Sequence, residues 1–249
     1  MFQTEMSPQT FFDEMIQARG YSTDKFCSLD GGYFCSPTPM QQASFGIKIM
    51  QAVRTSDGDL LKRMLECGIS PNACNAYGES VVHMVCRRGD YKLLKILVDA
   101  GCSFQVTDDF GRTPLHEACW TAAPSFDCVE LILNTDERLL NIVDCRGSSP
   151  LSYIKREHWK HWIDFLESKA DRYWAPRDVS MEGEEAPPPL VGAPPHSHPV
   201  PDPKNAIPVD VATLISSGKL VPEDFLRRKE VALGIKQVAT DVSAACANK

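Results

Sequence analysis

No run of 18 apolar residues occurs anywhere in the 249-residue chain, so no membrane-spanning helix is expected. Surplus positive charge is missing too. Lys and Arg number 26 against 33 Asp and Glu, a formal net charge of −7. Nucleic acids and anionic bilayers are held through basic surface, so the expectation is no nucleic-acid partner and no membrane partner. The opening stretch, Met1 to Gly20, carries Glu5, Asp13 and Glu14 and no long apolar core, and no secretory leader is expected from it. The ten cysteines lack the paired spacing of a disulfide framework. They read as buried free thiols in a reducing compartment, which predicts a cytoplasmic or nuclear location.

Catalytic patterns are equally scarce. Gly31-Gly32 stands alone and makes no phosphate-binding loop. Gly-x-Ser-x-Gly, His-Glu-x-x-His and Cys-x-x-Cys do not occur. Cys27 and Cys35 have no second pair. His196 and His198 alternate within a proline-rich stretch without further ligands. The expectation is therefore no enzyme, no cofactor and no metal site.

What the chain does have is a repeat. Tyr77-Gly78-Glu79-Ser80-Val81-Val82-His83 is answered 33 residues later by Phe110-Gly111-Arg112-Thr113-Pro114-Leu115-His116. Cys86 and Cys119 keep that spacing, as do Gly68 and Gly101. A third copy begins at Gly147, 36 residues after Gly111, and Ser152 stands in the histidine position. The three extra residues fall near Ala122-Ala123-Pro124-Ser125, where proline blocks helix continuation. Each unit reads as helix, turn, helix and looped return. Leu93, Leu94 and Leu97 form one apolar stripe; Val129, Ile132 and Leu133 form the next. Asn75, Asp108 and Asp144 each precede a turn glycine by three, which suits a turn opener. Ser80 and Thr113 are placed to cap the first helix, with Pro114 at its favoured first position.

Thr113-Pro114-Leu115-His116-Glu117-Ala118 resembles the signature of the ankyrin-repeat family. The resemblance covers roughly residues 45 to 170 and weakens at both ends. The first copy has Phe45 for the turn glycine and Met50 for the histidine. The fold class implied is all-α: a helix-turn-helix repeat solenoid of about four units over 44–174. A segment 1–43 precedes it, a proline-rich linker 175–208 follows, and an amphipathic helical segment 209–249 ends the chain. The structural repeat positions are Gly78, His83, Gly111, Thr113, Pro114, Leu115, His116 and Gly147. The resemblance implies that His83 and His116 bridge successive repeats through backbone hydrogen bonds. It assigns partner contacts to the turn tips (Tyr77, Glu79, Phe110, Arg112, Arg146) and to the exposed side of the first helices (Met84, Arg87, Arg88, Glu117, Trp120, Tyr153, Arg156).

One column stands out within that set. Arg54, Arg87, Trp120 and Arg156 occupy the same repeat position. Arginine suits a helix C-terminus, where it meets the negative end of the macrodipole. The same column also reads as a basic and aromatic strip for an acidic partner segment with an apolar anchor.

The flanks are less regular. Residues 9–19 predict a short helix with Phe11, Phe12, Met15 and Ile16 on one side. Tyr21 to Gln42 shows no period, and Ser36-Pro37-Thr38-Pro39 reads as an exposed turn that also fits a proline-directed kinase. The linker has no prolines spaced i, i+3, so a PxxP ligand is not indicated. Beyond it, Val211, Leu214 and Ile215 predict one helix face, Pro222 starts another helix, and Val231, Ile235, Val238 and Val242 form a stripe. Those helices are expected to dock on the array or to bind a partner as a second contact. The function predicted is a protein-binding adaptor or scaffold using the concave face; the alternative is a regulatory subunit for an enzyme on another chain. Oligomeric state is not legible.

Overall fold

A computed structural model describes residues 6–33, 36–177, 200–229 and 231. The rest of the proline-rich stretch and the stripe positions Ile235, Val238 and Val242 lie outside them. Ten α-helices are named here in chain order: α1 Pro8–Ala18, α2 Pro39–Ser44, α3 Ile47–Arg54, α4 Gly58–Cys67, α5 Val81–Arg88, α6 Tyr91–Asp99, α7 Pro114–Cys119, α8 Phe126–Leu133, α9 Trp159–Tyr173 and α10 Val209–Ser216. Two short strands, β1 Phe26–Cys27 and β2 Ile142–Val143, pair in parallel.

Helices α3 to α8 are three stacked pairs. The second helix of the first two pairs starts at an aspartate: Asp57 accepts from the Leu60 amide at 2.9 Å and Asp90 from the Leu93 amide at 3.1 Å. Left-handed Gly68 ends α4. The stripe leucines and valines, with Leu61, Met64, Val82, Val85 and Leu115, fill one continuous core. No pair could bury its apolar face alone, so the stack is the stable unit.

Each pair is joined to the next through a projecting turn with the same internal wiring. Oδ1 of Asn75 accepts the amides of Tyr77 and Glu79; Asp108 does so for Phe110 and Arg112, and Asp144 for Arg146 and Ser148. The turn glycines Gly78, Gly111 and Gly147 have φ of 79°, 78° and 77°, a region closed to most other residues. One backbone hydrogen bond stitches each tip to the next: Asp109 N to Tyr77 O at 2.8 Å, and Cys145 N to Phe110 O at 2.9 Å. Behind the tips, His83 Nε2 lies 2.9 Å from Arg112 O and His116 Nε2 lies 3.1 Å from Ser148 O. Their Nδ1 atoms face the amides of Ser80 and Thr113, so Nε2 carries the proton and donates to the carbonyl.

Three sequence expectations need correction. The last unit does not begin with an α-helix. Residues Pro150–Tyr153 and Arg156–His158 form two 3-10 turns, and the 15-residue α9 then closes the stack. Tyr21 to Gln42 is not merely a loop: it contributes β1 and α2, the latter capped by Thr38 and Gln41 together. Residues 200–208 are not a free linker either. They lie on the array, where Gln41 Nε2 donates to Val200 O at 2.9 Å and Asn205 Nδ2 donates to Leu65 O at 3.2 Å.

The two flanks cap opposite ends. Helix α1 covers α9, with Phe12 edge-on to Trp174 at 5.0 Å and Arg19 bonded to Trp174 O and Asp171. The C-terminal segment covers the first pair. Helix α10 lies on α2 and α3, burying Ala212 and Ile215, and Ser216 Oγ donates to Ala43 O at 2.6 Å. Of the face predicted for this helix, Leu214 is instead 40% exposed.

Candidate binding face

The turn tips and the first helices of the pairs carry the side chains singled out above. Most large apolar residues are buried, yet Tyr77 is 65% exposed, Phe110 49% and Trp120 47%. Tyr77 and Phe110 occupy equivalent tip positions, one repeat apart. Trp120 is the residue that ends α7, and its ring meets Tyr153 edge-on at 6.2 Å. Met84 is half-buried, and Arg88, Arg146 and Arg156 are exposed. Arg88 Nη2 donates to Arg54 O at 3.1 Å, which joins two members of adjacent repeats.

A polar cluster lies between the second and third pairs. Arg87 grips Glu117 with two hydrogen bonds, Nε to Oε2 at 2.6 Å and Nη2 to Oε1 at 2.9 Å. Its Nη2 also reaches Glu79 Oε1 at 3.1 Å. Arg112 binds Asp108 at 2.6 Å and stands 3.7 Å from Glu117. Donation to Glu117, with the attraction of both carboxylates, raises the Arg87 pKa further above its usual value.

Two expectations change here. Glu117, assigned to partner contact, is only 1% exposed. It is a support for Arg87 and Arg112 rather than a presented group. The arginine column is also less basic than its composition suggests, because Arg87 is matched to carboxylates. Its guanidinium turns to Glu117 and Glu79 rather than to the helix C-terminus.

Tyr153 and Phe110 wall a cleft of about 160 Å³ with Arg112, Asp144, Cys145 and Arg146. Tyr153 donates its hydroxyl proton to Asp144 Oδ2 at 2.6 Å. Burial and that bond push the Tyr153 hydroxyl well above the usual phenol range. Burial pulls the Asp144 carboxyl upward, but bonds from Tyr153, Ser148 and Arg146 outweigh it and hold the group below the usual carboxylate range. Arg112 lies 5.3 Å from the Phe110 ring centre, a cation–π distance. Asp108 and Asp144 were legible only as turn openers. Their second oxygens, gripping Arg112 and Tyr153, left no separate mark in the sequence.

Among the described residues, no group of three or more His, Cys, Asp or Glu is placed to hold a metal ion. A stack of helix pairs with projecting turns and exposed aromatic tips defines a repeat-array interaction module. The family model for ankyrin repeats matches residues 49–144 in three copies. Residues 49–144 of the chain are ankyrin repeats. No curated protein matches the chain.

Proposed function

We propose that the chain is an adaptor or scaffold that binds another protein along the turn tips and first helices of its array. Ankyrin repeats are general protein-interaction modules, and such proteins are typically not enzymes. The observation that carries the reading is the row of Tyr77, Phe110 and Trp120, large aromatic side chains left in water on one repeat face. Aromatic and arginine side chains dominate the energetics of protein interfaces. The proposed contacts are Tyr77, Phe110, Trp120 and Tyr153 as anchors, with Met84, Arg88, Arg146 and Arg156 around them. Glu79, Arg87, Glu117 and Arg112 hold that face in shape from within.

The partner segment that fits best is apolar at its centre and acidic at its ends. An apolar side chain would enter the cleft between Phe110 and Tyr153, and carboxylates would meet the exposed arginines. A cytoplasmic or nuclear site of action accords with the eight described cysteines, all of them free thiols. Affinity capture from cells with the full chain and with a Phe110→Ser, Trp120→Ala double variant tests the reading. Proteins retained by the wild type should be lost from a double variant that keeps its thermal transition. Undiminished capture of the same proteins would refute it.

A further inference from the structure

We propose that Thr38 is a phosphorylation site for a proline-directed Ser/Thr kinase, and that the phosphate releases residues 200–226 from the first repeat. Six Ser or Thr residues precede proline in the chain: Ser7, Ser36, Thr38, Ser70, Thr113 and Ser149. Ser70, Thr113 and Ser149 are buried in the array. Thr38 is partly exposed, Pro39 after it is exposed, and the Thr38 backbone is extended at φ −69°, ψ 157°. That conformation matches the extended form in which such a kinase reads its target.

Thr38 is also where the C-terminal segment fastens. Its hydroxyl donates to Asp202 Oδ1 at 2.8 Å. The same oxygen accepts from the Gln41 amide at 3.1 Å, and Gln41 in turn holds Val200 O through its side chain. Thr38 and Gln41 therefore hold Val200 and Asp202, the first described residues of the segment, in place. Asn205, α10 and the Arg63–Glu223 pair continue its docking.

The chemistry reverses the sign of that contact. The kinase moves the γ-phosphoryl group of ATP to Thr38 Oγ1. The bond from the γ-phosphorus to the bridging oxygen breaks, ADP leaves, and the hydroxyl proton goes to the kinase base. The only donor that Thr38 offered Asp202 is gone. In its place stands a charge of roughly −1.5 to −2 within a few ångströms of a carboxylate. Among the described residues Ser36 makes no hydrogen bond to residues 200–226, so its modification leaves the Thr38–Asp202 contact intact.

The test uses the full chain with Ser7→Ala and Ser36→Ala, treated with ATP and a proline-directed mitogen-activated protein kinase. Mass spectrometry maps the phosphate, and hydrogen exchange follows the amides of residues 209–216. The expected result is phosphate on Thr38 and exchange at least tenfold faster in that helix. In an Asp202→Lys background the phosphate should instead slow exchange, because the contact becomes an ion pair. Absence of Thr38 phosphate, while a free peptide of residues 33–43 is modified, overturns the proposal. So does phosphate on Thr38 with unchanged exchange. Faster exchange in both backgrounds also overturns it, because loss of the helix cap rather than charge would then be the cause.

Discussion

Arg87 of the second repeat holds both carboxylate oxygens of Glu117 in the third, at 2.6 and 2.9 Å. The two partners are unequally buried: the Arg87 side chain is 39% exposed and that of Glu117 is 1% exposed. The consequences of removing each therefore differ. Glu117→Gln frees a guanidinium that can turn to water and to Glu79. Arg87→Met leaves a buried carboxylate with only the more distant Arg112. Breaking a buried pair costs about 3–5 kcal/mol, and partial exposure lowers that figure. The expected losses are about 1 kcal/mol for Glu117→Gln and about 2–3 kcal/mol for Arg87→Met. Urea midpoints measure both, and the reverse order would contradict the burial argument.

Gly46 is glycine for a different reason from the turn glycines. Its φ of −126° and ψ of 179° suit any residue. A Cβ there would run into the backbone carbonyl of Ser216 on α10. Gly46→Ala should therefore undock α10, at a cost of about 1–3 kcal/mol from overpacking, and leave the repeats folded. Hydrogen exchange should rise in residues 209–216 but not in α5 to α8. Uniformly faster exchange would mean that Gly46 serves the array itself.

Gly111 combines both constraints. Its φ is 78°, and a Cβ would meet Ser28 Oγ, whose hydroxyl donates to Gly111 O at 2.7 Å. Gly111→Val should cost about 2–4 kcal/mol, from backbone strain and from displacement of the N-terminal strand. An unchanged denaturation midpoint would contradict both contacts.

Acid should weaken the array through its two bridging histidines. Burial lowers the pKa of His116 to about 4 and that of His83 in the same direction, although the bonds to Ser148 O and Arg112 O oppose it. The unfolded chain takes up these protons near pH 6.5. The folded chain takes up the His116 proton only near 4. The stability from a neutral, buried His116 is complete above about pH 6.5. It falls by about 1.4 kcal/mol per pH unit between 6.5 and 4. Denaturation at pH 7, 6 and 5 should give a shallower slope for His116→Gln than for the wild type. Equal slopes would show that His116 titrates alike in both states.

Much of this architecture is written locally. The 33-residue spacing, the turn glycines and the histidine pair are nearest-neighbour features, and a repeat array is built from nearest-neighbour contacts. The insertion near Ala122 is legible for the same reason, since it lies between α7 and α8 and disturbs only their connection. What stayed hidden depends on pairs distant in sequence. Thr38 and Asp202 are 164 residues apart, and Ser216 and Ala43 are 173 apart. No local period records such meetings. The 3-10 form of the last unit's opening was equally illegible, because Pro150 suits the first turn of either helix type. The binding face was legible as a list of positions. Which of its charges are matched was not, because Glu117 looks exposed by its repeat position and becomes buried only under Arg87 and Arg112.

Site-specific photo-cross-linking tests the proposed face most directly. A benzophenone amino acid replaces Phe110 at a turn tip or, in a second protein, Tyr91 on the second helix of the same stack, also exposed. Both are aromatic positions in the folded chain, so the probe changes little but its location. The expected result is a discrete covalent adduct with a partner protein from Phe110 and none from Tyr91. Adducts from Tyr91 with none from Phe110 would place binding on the outer helices and contradict the proposed face.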